Sequence, residues 1–191
     1  MKVLTIMGSP RKSAASTVIA EQFNRTAEAN GAEVTTYHLN DMDYKACQGC
    51  YACKTGHETC ALSDDLTQVF EDLHEADAVV FATPIYFGDV TGQFKSFFDR
   101  IYSTVKPDYL TTGIPSSRLQ AGKKSLFIFT QGADEETHTE IHERYNNYLA
   151  ISGFTDIRTI RDCKRQDYTD KNPAAESITL AEAAAMDFVN A

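Results

Sequence analysis

Cys47, Cys50, Cys53 and Cys60 are four of the five cysteines in a chain of 191 residues, and they are spaced C-x2-C-x2-C-x6-C. Thiolates are soft ligands, and three of them two residues apart can reach three corners of one compact inorganic core. The spacing favours a cubane iron–sulfur cluster. A single zinc ion is usually held by two separated pairs, and the second pair is absent, although His57 offers a mixed Cys/His alternative. Redox disulfides are a third reading, disfavoured because adjacent C-x2-C pairs are poor partners and cytosolic disulfides are rare. A fourth is a loop that binds nothing and only borders another site. Gly49 and Gly56 give the backbone freedom to curl in any of these.

Two further stretches carry chemistry. Gly8-Ser9-Pro10-Arg11-Lys12-Ser13-Ala14-Ala15-Ser16-Thr17 follows a short apolar run, Val3 to Met7, and leads into a helical pattern. Hydroxyls, two cations and the N–H groups of a helix start suit a terminal monophosphate. A hydroxyl-rich helix cap is the plain alternative. Neither the G-x4-G-K-[ST] nucleotide loop nor the G-x-G-x-x-G dinucleotide fingerprint occurs. Thr83-Pro84-Ile85-Tyr86-Phe87-Gly88-Asp89 follows a second apolar run and sets two aromatics where a flat ring could lie. Thr130-Gln131-Gly132-Ala133, after a third run, offers amide and backbone groups for a ring's polar edge.

These stretches must be positioned by strands. Val3–Met7, 32–39, 77–83, 124–130 and 154–160 read as strands, and the most apolar of them suit a sheet covered on both faces. Helical patterns lie between: Val18, Ile19, Phe23 and Ala27; then Leu66, Val69, Phe70 and Leu73, opened by Asp64 and Asp65; then Phe94, Phe97, Phe98 and Ile101; then Ile141, Tyr145, Tyr148 and Leu149. Ala181, Ala184, Ala185 and Phe188 mark a terminal helix. Residues 106–122 read as a surface excursion, either a lid or a docking surface, and 162–175 as polar and irregular. The alternation predicts an α/β fold: a doubly wound, five-stranded parallel sheet of flavodoxin-like order 2-1-3-4-5 in three αβα layers. One domain spans 1–191, with the cysteine-rich loop 46–63 inserted after the second strand. In such sheets a ligand lies beyond the carboxyl ends of the strands, where the three loops would converge.

Composition narrows the partners. Apolar residues make up 42%, as expected of a globular chain. With 27 acidic and 18 basic side chains the net charge is −9, which argues against nucleic acid and anionic membrane surfaces. No run approaches a membrane span, and the opening residues are too short an apolar stretch for a signal peptide, so the cytosol is the expected compartment. Cys163 lies beside Lys164 and Arg165, a setting that could depress its pKa, though a bystander thiol is the simpler reading. His138 and His142 are spaced i, i+4, as a metal pair or merely as an exposed polar face.

Gly8-Ser9-Pro10-Arg11, the cysteine loop with Asp64-Asp65, and Pro84 to Gly88 with the downstream Lys95, Asp99 and Arg100 together resemble the iron–sulfur flavoprotein family. That family belongs to the wider NADPH-dependent FMN reductase group. The likeness runs from Met1 to about Thr130. It implies an FMN whose phosphate is held by Ser9, Arg11, Ser16 and Thr17. Pro84, Ile85, Tyr86, Phe87 and Gly88 would meet the ribityl chain and ring, and Gln131 and Gly132 the ring edge. Cys47, Cys50, Cys53 and Cys60 would ligate a [4Fe–4S] cluster. The wider group carries a similar loop without a cluster, so the alternatives for the thiols stay open.

The resemblance further implies an oxidoreductase taking electrons from NAD(P)H or ferredoxin and passing them to a quinone, an oxygen species or a redox protein. No side chain is assigned as acid or base, because the flavin would carry the chemistry. A homodimer or homotetramer is expected. Two other readings are a cluster-free NAD(P)H-dependent FMN or quinone reductase, and a non-catalytic electron carrier or redox sensor.

Overall fold

The computed structural model describes residues 1–164 and 172–190. Along the chain run β1 (Lys2–Met7), α1 (Ala15–Ala29), β2 (Glu33–His38), the single-turn α2 (Ala52–Thr55), α3 (Leu66–Glu75), β3 (Ala78–Tyr86) and β4 (Asp89–Val90). Then follow α4 (Gly92–Ile101), the single-turn α5 (Tyr109–Thr112), β5 (Lys124–Thr130), α6 (Thr139–Ile151), β6 (Asp156–Asp162) and α7 (Ala175–Asn190). Five strands pair in parallel in the order β2-β1-β3-β5-β6. That is the flavodoxin-like order foreseen. A sixth strand was not: β4 is a two-residue antiparallel partner of the end of β3.

Period-two alternation in the central strands sorts their side chains between two cores. Leu4, Ile6, Val79, Phe81, Phe127 and Phe129 face one layer with α3, α4 and α6. Val3, Met7, Val80, Ala82, Leu126 and Ile128 face the other with α1 and α7. The layers differ in kind. Around Phe81 lie the rings of Phe94, Phe97, Phe98, Phe127 and Phe154, with centroids 5.4 to 6.4 Å away. The opposite layer is rich in alanine, with Ala20, Ala27, Ala181, Ala184 and Ala185 buried. Small side chains let α1 and α7 approach closely, while the aromatic layer holds the helices that border the cysteine loop. The stripes read from the sequence on α3 and α4 are buried throughout. On α6, Ile141, Tyr145 and Leu149 are buried, but Tyr148 is half-exposed.

Two spans depart from the sequence reading. Residues 84–86 continue β3 rather than forming a loop, because Ile85 and Tyr86 pair with Val90 and Asp89. The 106–122 excursion is tied back: Val105 bridges Ser117, and Leu119 is buried. Within the 162–175 stretch, residues 165–171 lie outside the described residues.

Candidate functional site

Parallel register brings three loops to one rim. Met7 pairs with Ala82, Pro84 with Thr130, and Thr130 with Asp162, so the chain leaves β1, β3 and β5 side by side at their carboxyl ends. The segments beginning at Ser9, Pro84 and Gln131 therefore share an edge. Two threonines stitch it together, of which Thr91 was not named from the sequence. Thr91 Oγ1 donates to Gly8 O at 2.6 Å and caps α4 by accepting from Phe94 N at 3.4 Å. Thr83 Oγ1 accepts from Thr91 N at 3.3 Å. Gly8 N donates to Ala82 O at 2.7 Å, and a side chain at position 8 would meet Phe94 at 2.8 Å. Only glycine lets the first loop turn this close to α4.

In the first loop Ser9 is buried, and its Oγ accepts from Arg11 N at 3.1 Å. Thr17 Oγ1 reaches Arg11 O at 3.5 Å. Ser16 Oγ is enclosed and has no hydrogen-bond partner among the described residues. Residue 14, at the N-cap of α1, is an alanine that makes no side-chain cap, and the first turn holds no acidic residue. The positive end of a 15-residue helix thus faces the loop uncompensated by side chains. A hydroxyl-rich cap, the plain alternative, does not form.

The second loop is a tight turn. Phe87 and Gly88 have φ of 50° and 84°. Two successive positive angles suit the right-handed twist of a hairpin, but a phenylalanine is an uncommon residue to place there. Tyr86 is 42% exposed and Phe87 fully exposed, so neither belongs to the core. Asp89 pins the hairpin to α6, accepting from Arg144 Nη2 at 2.7 Å and Tyr145 OH at 3.0 Å. His138 packs against the turn, 3.7 Å from where a Cβ on Gly88 would lie.

In the third loop Gln131 is buried, and its Nε2 donates to Asp134 O at 2.6 Å and Thr137 O at 3.0 Å. The amide nitrogen expected at a ring edge is therefore engaged in shaping its own loop. Gly132 is exposed beside it.

The four cysteines line one cavity of about 160 Å³ with Asp99, Arg100 and Tyr102 of the α4 end. Their thiols are free; Cys47 and Cys50 are exposed, Cys53 and Cys60 half-buried. Burial pushes the Cys53 thiol up, against the pull of neighbouring Lys54. The ligand shell read from the spacing is not gathered: among the described residues no three His, Cys, Asp or Glu side chains stand close enough to hold a metal ion. Nothing in the loop itself draws thiols together, since its only regular element is the single turn α2. Four soft donors share one cavity, but as placed they do not form a ligand shell for an iron–sulfur core. His57, the fifth candidate for zinc, is exposed.

The neck of this loop is clasped by residues to which the sequence reading gave no such role. Asp64 and Asp65 open α3 as expected: Asp65 is its N-cap residue, without a side-chain cap of its own, and Asp64 accepts from Leu66 N at 3.1 Å. Asp64 also takes the Arg100 guanidinium at 2.6 and 2.9 Å and Lys45 N at 3.2 Å. Burial works to raise its carboxyl, but Arg100 and these N–H groups outweigh it and hold the pKa below the usual range. Asp65 accepts from Asp43 N at 2.7 Å. Lys54, also buried, donates to Tyr102 O at 2.5 Å and to Val105 O, and lies 3.9 Å above the Tyr102 ring. Arg118 donates to Cys53 O at 3.1 Å. A basic residue inside the motif was the one signal of this role that the sequence offered.

Two minor candidates fall away. Burial raises the Cys163 thiol despite Arg161 and Lys164, so the depressed pKa is not seen, and Arg165 lies outside the described residues. His138 is the left-handed N-cap of α6, with φ of 63°, and not on one helical face with His142.

Sheet order and rim loops define a flavodoxin-like fold, and solved structures agree. An FMN-dependent NADH-azoreductase from Bacillus anthracis in complex with FMN superposes with a TM-score of 0.74 over 99% of both chains, at 19% identity. An NAD(P)H:quinone oxidoreductase from Methanothermobacter marburgensis gives 0.75 over 97% of both, at 18%. A sequence model of the NADPH-dependent FMN reductase family matches residues 1–160. An iron–sulfur flavoprotein from Archaeoglobus fulgidus is 35% identical over 145 residues, 69% of each chain. The chain belongs to the NADPH-dependent FMN reductase family, on its iron–sulfur flavoprotein side. Among the described residues no helix is long and apolar enough to cross a membrane.

Proposed function

We propose that the chain is an NAD(P)H-dependent FMN oxidoreductase whose cysteine loop carries a [4Fe–4S] cluster. The observation that supports it most is Ser16: a buried, partnerless hydroxyl at the uncapped start of α1, beside a loop of hydroxyls and cations. A phosphate monoester supplies the acceptor that this hydroxyl and the helix N–H groups lack. Ser9, Arg11, Ser16 and Thr17 take that phosphate. Pro84, Ile85, Tyr86, Phe87 and Gly88 lie along the ribityl chain and ring. The backbone at Gln131 and Gly132, rather than the engaged Gln131 amide nitrogen, meets the ring edge.

FMN held there would supply hydride acceptance and single-electron release, and Cys47, Cys50, Cys53 and Cys60 are the residues that would hold a one-electron cluster. The chain's own residues position and shield. Asp89, held by Arg144 and Tyr145, fixes the hairpin so that Tyr86 and Phe87 cover a ring without collapsing inward. NAD(P)H is the donor, with ferredoxin the other candidate; a quinone is the acceptor supported by the family, ahead of an oxygen species or a redox protein. One domain over 1–191 does this, with 46–63 as its insertion. Free thiols suit the cytosol. Half-exposed Tyr148 and Ile151 along a groove of about 500 Å³ support a homo-oligomer, which light scattering of the purified protein would detect.

Ser16→Ala tests the flavin site. It is expected to weaken FMN binding about tenfold in a fluorescence titration, the loss of one hydrogen bond to a charged group. Unchanged affinity would move the phosphate elsewhere. The ungathered thiols favour a second reading, a cluster-free reductase whose loop only shapes a cavity. Iron and acid-labile sulfide after anaerobic purification separate the two: about four of each per chain supports the cluster, and none beside an intact flavin spectrum supports the alternative.

A further inference from the structure

We infer that His138 donates a hydrogen bond to the carbonyl oxygen of a quinone laid against the rim, and so sets which acceptors the protein prefers. The inference rests on the flavin reading above and assigns a residue to its acceptor. His138 stands between the second and third loops. Its Cε1 is 3.7 Å from where a Cβ on Gly88 would lie, and beside that turn are the exposed rings of Tyr86 and Phe87. Asp89 ties the same hairpin to α6 through Arg144 and Tyr145, so the imidazole and the turn keep their places relative to each other.

The chain holds this residue firmly. Thr137 O, one residue before it, accepts from Gln131 Nε2 at 3.0 Å and from Arg161 Nη2 at 2.9 Å. Arg161 Nη1 also donates to Glu135 O at 2.8 Å, and Asp134 Oδ1 accepts from Thr137 N at 3.1 Å. The backbone at 138 sits in the left-handed region, with φ of 63°, a conformation that is costly for residues other than glycine. Yet His138 fills none of the usual local roles of such a position. It is the N-cap residue of α6 but makes no side-chain cap bond. It is not a core residue either, since its side chain is 30% exposed. Glu140 Oε1 is 3.9 Å from Nδ1, beyond hydrogen-bond reach, and neither ring nitrogen has a hydrogen-bond partner among the described residues. What remains is an anchored polar ring at the edge where an acceptor must approach the flavin. Tyr86 and Phe87 offer the acceptor an apolar surface, and a neutral imidazole offers one N–H. Negative charge gathers on a quinone oxygen during reduction, and a donor already in place there favours it. His138 transfers nothing itself. The exchange stays NAD(P)H + H⁺ + quinone → NAD(P)⁺ + hydroquinone.

The test uses the whole protein loaded with FMN. NADPH oxidation is followed with menadione, a quinone, and with ferricyanide, which has no carbonyl. Wild type is compared with His138→Asn and His138→Gln. Asparagine suits the left-handed backbone but is shorter than the imidazole; glutamine restores length and an N–H. The ratio of kcat/KM for menadione to that for ferricyanide is expected to fall about tenfold in His138→Asn and to recover in part in His138→Gln. A merely structural role would lower both acceptors together and leave the ratio where it was. An unmoved ratio in both variants, or no recovery with glutamine, overturns the inference while the flavin reading stands. So does a wild type that retains FMN and reduces ferricyanide but not menadione. A wild type that binds no FMN overturns both together.

Discussion

Ser16 and Arg100 each bury a polar atom with no partner among the described residues, whereas Lys123 buries a charge and finds two carbonyls. It is 2% exposed and donates to His74 O and Ala76 O, closing the end of α3. Burial pushes its ammonium down to about 8, with Asp77 pulling weakly the other way. An unfolded lysine titrates near 10.4, so between about pH 8 and 10.4 the unfolded chain holds more protons than the folded one. Stability from this group therefore rises with pH across that window, by up to roughly 3 kcal/mol. Lys123→Met removes the effect. Urea unfolding at pH 7.5 and pH 10 is expected to show wild type gaining on the variant by about that amount. A constant difference between the two proteins would mean that Lys123 titrates normally. Ser16 and Arg100 were named from the sequence but not their burial, and Lys123 was not named at all. Burial of a single lysine, arginine or serine depends on what packs over it, and no local pattern encodes that.

Element by element, the chain was legible where a period ran long enough. The stripes of α3 and α4, the apolar runs of β1, β3 and β5, and the rim they share follow from residue spacing alone. Short elements did not follow. The hairpin from β3 to β4 rests on a Phe87–Gly88 turn, and phenylalanine hides a turn that Asn-Gly would have declared. Asp64 and Asp65 do stand at the start of α3, as their charge suggested, but no spacing announced that a buried arginine 36 residues on, at position 100, would also claim Asp64. The hairpin offers a direct test of strain held for function. Phe87→Asn suits the positive φ and is expected to stabilise the protein by about 1 kcal/mol. The same change removes an exposed ring from the rim and is expected to weaken FMN binding several-fold. Thermal unfolding and a flavin titration on one variant check both signs. A gain in stability with unchanged affinity would leave the exposed ring without a role at the site.

At the scale of the molecule, the three rim loops belong to adjacent strands of one sheet, and that has a thermodynamic consequence. β1, β3 and β5 carry side chains of both cores. A ligand that bridges their carboxyl ends is therefore linked to global unfolding and not to the fraying of one loop. Binding to the folded chain alone stabilises it by RT ln(1 + [L]/Kd), about 2.7 kcal/mol at a hundredfold excess over Kd. For a chain of this size that is a rise in Tm of roughly 5–10 °C. Riboflavin presents the same ring and ribityl chain but no phosphate. At equal concentration it is expected to raise Tm far less, because the start of α1 and Ser16 Oγ then gain no acceptor. Ser16→Ala should narrow the gap between the two ligands while leaving the riboflavin shift in place. Calorimetry of wild type and variant with each ligand reads all four values. Equal shifts from FMN and riboflavin in the wild type would show that the first loop does not hold a phosphate, and the flavin would then have to be seated by the hairpin and the third loop alone.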